Sequence, residues 1–60
     1  MVTANTQAPA VVALLQQAER QANDGDLESA AASLERAIRI DPRNAVLWYH
    51  LATVRLSQGE

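Results

Sequence analysis

The sequence predicts an all-α protein, a helical hairpin followed by one extra helix. Three observations carry that prediction. Apolar residues recur at three- and four-residue intervals through three successive stretches. The breaks between the stretches hold Gly25 and Pro42, each beside an Asp or Asn able to cap a helix. The third stretch repeats the first at an offset of 34 residues, counted from Gly25 to Gly59.

Residues 1–8, Met-Val-Thr-Ala-Asn-Thr-Gln-Ala, are small and polar, lack periodicity and read as a flexible linker. The first helix is expected from Pro9 to Asn23. Pro is tolerated in a first turn because the N–H it lacks has no helical partner there. Val11, Val12, Leu14, Leu15, Ala18 and Ala22 form an apolar band that narrows to Ala toward the carboxyl end. Gln16, Gln17, Glu19, Arg20 and Gln21 fill the remainder, and Gly25, free to take a left-handed conformation, stops the helix.

The second helix is expected after Asp26, whose carboxylate can accept from the free N–H groups of the first turn. Leu27, Ala30, Ala31, Leu34, Ala37 and Ile38 line its buried stripe. Glu28, Ser29, Ser33, Glu35, Arg36 and Arg39 are expected on the solvated face, with Glu35 spaced for a weak ion pair to Arg39. The Asp24-Gly25-Asp26 link is so short that the two helices must lie antiparallel. Pro42 disfavours helical geometry at Asp41 and closes the run.

Asn44 caps a third helix expected from Ala45 to about Ser57, with Gly59 as its stop. Leu47, Trp48, Leu51, Ala52 and Leu56 give its apolar face, widened by Val46, Tyr49 and Val54. That is more apolar surface than one hairpin covers. Trp48 is expected to pack against Leu34, Ala37 and Ile38 as a core residue.

At the 34-residue offset Leu14 falls on Trp48, Ala18 on Ala52, Val12 on Val46 and Asn23 on Ser57. A helical hairpin repeated at this period resembles the tetratricopeptide repeat (TPR) family, whose stacked hairpins build a right-handed α-solenoid. Ala30, Leu34, Ala37 and Pro42 match the second-helix positions of the family signature, with Leu34 in place of an aromatic residue. Trp48, Leu51 and Ala52 match the start of the next repeat. Leu14, Gln17 and Gln21 depart from the first repeat's Trp, Leu and Tyr, and Arg55 departs from the second Tyr. The two Gln in nominal core positions give the first helix the character of an amino-terminal edge.

The resemblance spans Ala10 to Glu60, about one and a half repeats. It divides the chain into a linker (1–8), a first TPR hairpin (9–43) and the first helix of a second, incomplete TPR (44–60). In the family the first helix of each hairpin lines a concave groove. The resemblance therefore places Val12, Leu15, Glu19 and Ala22 in that groove, joined by Val46, Tyr49, Thr53 and Leu56. The Lys and Asn clamp with which some chaperone-binding members hold a carboxylate terminus is missing, and an apolar helix or extended peptide suits the surface better. A competing reading is self-association. The third helix, uncovered by a following one, would bury Leu47, Leu51, Val54 and Leu56 in a second copy, giving a homo-oligomer in isolation.

Sixty residues make at most one small domain, and with no Phe, one Trp and one Tyr there is little bulky material for its core. There is no cysteine, hence neither a disulfide nor a thiolate metal site, and the compartment is not readable from cysteine usage. The composition of the leading segment resembles both ordinary linkers and the tethers of bacterial envelope lipoproteins, which leans the localisation toward the periplasmic side of an envelope, with the cytoplasm as alternative. A net charge of -2 with five Arg and no Lys offers no phosphate-neutralising stripe, so nucleic acid is not an expected partner. A helix-turn-helix DNA binder shares the outline of three short helices, but the acidic balance and the 34-residue period argue against it. No apolar run approaches the roughly 20 residues of a membrane span.

The seven carboxylates are scattered over turns and solvated faces, and Asp24 with Asp26 lacks the length and closing glutamate of a calcium loop. His50, the single histidine, has no second metal ligand and no serine or acid at a useful offset, so it reads as a partly exposed helix residue. The sequence thus points away from catalysis, cofactors and metals. It points toward a protein or peptide partner.

Overall fold

The computed structural model describes residues 8–59, which form three helices: α1 (Pro9–Asn23), α2 (Leu27–Ile40) and α3 (Ala45–Gly59). The linker expected over 1–8 lies outside the described residues except for Ala8, as does Glu60. Ala8 is extended (φ -61°, ψ 144°), and its carbonyl accepts from Val11 and Val12 at 2.9 and 3.1 Å, so Pro9 opens α1 without losing a needed donor.

The joint between α1 and α2 is a paired termination and start. Gly25 takes φ 84°, which lets its N–H reach Ala22 O at 3.0 Å and that of Asp26 reach Gln21 O at 2.9 Å. These are the two bonds of a Schellman cap. Asp26 then caps α2, its side chain accepting from Ser29 N at 3.2 Å. At the other end Asp41 leaves the helical region (φ -139°, ψ 77°) ahead of Pro42. Asn44 restarts the helix, with Oδ1 accepting from Val46 N at 3.1 Å.

α2 is the central element, packed on α1 along one side and on α3 along the other. Its small residues Ala30, Ala31 and Ala37 are buried and face the equally buried Ala18 and Val11 within one cluster. A seam of small side chains lets helix backbones approach closely, and here it stands in for bulk. Leu34 and Leu47 supply the large contacts, at 1% and 0% exposure. Burying a leucine side chain contributes about 2 kcal/mol, so these two dominate a core otherwise made mainly of alanine and valine.

Three expectations change. Ser33, placed by helical spacing on the solvated face, is 2% exposed because α1 covers it. Glu35 pairs across helices with Arg55 of α3 rather than with Arg39 on its own helix. Trp48 is not a core residue: it is 51% exposed, and its indole Nε1 donates to Pro42 O at 2.8 Å, stapling α3 to the preceding turn.

The self-association face is also redrawn. Leu47, Leu51 and Val54 are buried within the chain, leaving only Leu56 of the expected four exposed. Apolar residues run all around α3, so any of several faces had the hydrophobicity to meet α2; the Leu47, Leu51 and Val54 side won and covered itself. Val46, Trp48, Tyr49 and Leu56 stay exposed instead.

Candidate functional site: a cleft between the outer helices

Because α2 holds α1 and α3 on its two sides, the outer helices bound a cleft with α2 beneath. Its volume is about 350 Å³. α1 contributes Leu15, Ala18, Glu19, Ala22 and Asn23, α2 contributes Leu34, and α3 contributes His50, Thr53 and Val54. The floor is apolar: Ala18, Leu34 and Val54 are buried, while Leu15 and Ala22 are half-buried on the wall.

Polar groups sit around this apolar centre. Thr53 is exposed, but its hydroxyl donates to Tyr49 O at 3.0 Å on its own helix. A threonine bonded in this way offers little donor capacity to a ligand. His50 is half-buried, and its ring meets that of Tyr49 edge to face, with centroids 5.6 Å apart and planes at 74°. That contact orients the imidazole beside the cleft. Glu19 is exposed at the rim and is the one formally charged residue in the lining.

Outside the cleft, α1 and α2 are held by a polar ladder. Gln17 Nε2 donates to Ser33 Oγ at 3.1 Å, and Ser33 Oγ donates to Gln21 Oε1 at 2.7 Å. Every buried side-chain nitrogen and oxygen among the described residues has a partner. Among those residues no group of three or more His, Asp or Glu side chains is placed to hold a metal ion. No helix among them is long and apolar enough to cross a membrane.

The family model described as TPR repeat matches residues 19–59, more than half of the chain. The chain belongs to the tetratricopeptide repeat family. No curated protein and no solved structure gives a match. TPR repeats generally act as protein–protein interaction modules, and as a family they are scaffolds rather than catalysts.

The cleft lies between α1 and α3, the two helices related by the 34-residue offset. Of the groove residues expected from the repeat, Leu15, Glu19, Ala22 and Thr53 come together in it. Val12, Val46, Tyr49 and Leu56 do not line it. Val46, Tyr49 and Leu56 are exposed elsewhere on α3, and Val12 is half-buried. His50 and Val54 were missed as lining residues although His50 precedes Thr53 by three positions and Val54 follows His50 by four, the spacing of one helical face. Asn23 ends α1 at the mouth of the cleft and was likewise missed.

Proposed function

We propose that this chain is a non-catalytic interaction module that holds a peptide or a helix in the cleft between α1 and α3. The observation that carries the reading is the cleft itself, an apolar floor of Ala18, Leu34 and Val54 bordered by a few polar groups. Such a surface rewards apolar anchor side chains and uses its polar rim for orientation. Titrating the isotopically labelled chain with short leucine-bearing helical peptides tests it. Amide shifts concentrated at Leu15, Ala22, His50 and Thr53 are expected; shifts confined to other faces would sink the proposal.

A second reading, self-association, is favoured by the exposed large apolar residues of α3: Trp48 at 51%, Tyr49 at 69% and Leu56 at 70%. Such a cluster on a small chain is an association surface of the kind that a second copy can share. None of the three lines the cleft, so both readings can hold together. Sedimentation equilibrium over a wide concentration range tests it, and a monomer throughout would remove it.

A further inference from the structure

The cleft carries information about the chemistry of its occupant. Its volume of about 350 Å³ falls at the low end of the roughly 300–1,000 Å³ typical of clefts that enclose small ligands. It therefore receives one or two side chains of a partner, with the rest of the segment lying across the rim. Leu15, Ala22, Leu34 and Val54 present carbon to whatever enters.

The electrostatics of the rim are one-sided. Glu19 is the lining's one formal charge, and among the described residues it has no hydrogen bond or ion pair. Arg55, the cation of α3 itself, is committed to Glu35 and does not line the cleft. Arg20 in the last turn of α1 and Asp24 at its C-cap both lie outside the lining, so Glu19 sets the sign of the charge that a partner meets in the cleft.

We propose that the cleft selects a protein segment that carries a bulky apolar side chain with an arginine or lysine near it. The apolar group fills the space over Leu34, and the cation pairs with Glu19. The assignment rests on the groove reading above and adds to it the sign of the partner's charge. An exposed ion pair of this type contributes modestly to affinity and more to the choice of partner.

Three acetylated, amidated alanine-based helical peptides provide the test, carrying Leu–Arg, Leu–Glu or Ala–Arg one turn apart. Each is titrated into the 60-residue chain and its Glu19→Gln and Glu19→Arg variants, with amide shifts mapped and helicity checked. Glu19 is exposed, so both variants are expected to keep the fold. The proposal expects Leu–Arg to bind tightest, with shifts around Leu15, Ala22 and His50, and Ala–Arg to bind weakly. It expects Glu19→Gln to weaken Leu–Arg by about two- to five-fold, and Glu19→Arg to reverse the preference toward Leu–Glu. Equal binding of Leu–Arg and Leu–Glu at the cleft, or indifference to Glu19→Gln, overturns the charge assignment while leaving the groove reading intact. Absence of cleft shifts with either leucine peptide overturns both.

Discussion

Ser33 Oγ donates to Gln21 Oε1 at 2.7 Å, across the interface between the two helices of the hairpin. The same oxygen accepts from Gln17 Nε2 at 3.1 Å, so one buried hydroxyl uses two glutamines that stand in positions the repeat family fills with Leu and Tyr. The glutamines are half-buried and therefore have both a protein partner and access to water. This ladder explains how α1 tolerates polar residues at core positions, and it fixes the rotation of α1 against α2 more narrowly than a seam of alanines would.

Ser33→Ala is expected to destabilise the chain by about 1 kcal/mol, the net worth of a typical hydrogen bond once the freed glutamines return to water. Urea unfolding followed by circular dichroism measures it. The companion Gln21→Ala in the Ser33→Ala background should cost less than in the native chain, because the partner is already gone. Full additivity would mean that the ladder is not a unit.

Leu34→Ala and Leu47→Ala remove the two large side chains at 1% and 0% exposure. Each is expected to cost roughly 2–5 kcal/mol, a substantial share of the total stability of so small a domain. The far-ultraviolet helical signal should fall sharply at room temperature for either variant. Retention of native helicity and an unchanged urea midpoint would contradict the core described above.

Gly25→Ala isolates backbone strain, since a Cβ at this position meets nothing within 4 Å while φ stays at 84°. The left-handed conformation costs an alanine about 1 kcal/mol, and the thermal midpoint should drop accordingly. Gly25→Asn should lose less, because asparagine tolerates this region better. If both variants match the native midpoint, the cap does not depend on the positive φ.

On α3, Leu56→Glu and Leu51→Glu separate assembly from folding. Leu56 is 70% exposed and Leu51 is 8% exposed. Leu56→Glu should leave helicity intact and abolish any concentration-dependent mass in sedimentation equilibrium. Leu51→Glu should unfold the chain, because it buries a charge against α2. Loss of helicity from Leu56→Glu would place that residue in the fold instead of on its surface.

The Glu35–Arg55 pair is a weaker contributor, with side chains 41% and 56% exposed. Arg55→Ala should therefore change stability by about 0–1 kcal/mol, with the difference from the native chain shrinking as salt is added. A salt-independent loss larger than that would assign Arg55 a packing role through its aliphatic stem.

The sequence by itself determined the three helices, the repeat and every helix limit but the last, since α3 runs through Gly59, the residue expected to stop it. Pro9, Gly25, Asp26, Pro42 and Asn44 act on the backbone within a turn or two of themselves, so their effect does not depend on the rest of the molecule. The stripe from Leu27 to Ile38 was legible for the same reason: in α2 apolar and polar residues segregate along the helix, and only one face suits burial. Of the eight residues that the family resemblance places in a groove, Leu15, Glu19, Ala22 and Thr53 line the cleft.

Tertiary structure decided the rest. α3 is apolar around its circumference, so its own residues do not say which side meets α2; the position of α2 chose Leu47, Leu51 and Val54 and left Trp48 and Leu56 outside. Ser33 reads as a surface residue until α1 arrives to cover it and Gln17 and Gln21 to satisfy it. Glu35 had an available partner four residues along its own helix and took one twenty residues away, because α3 brought Arg55 within reach. The cleft belongs to the same class: it is a space between α1 and α3, and neither helix contains it until α2 sets the distance between them.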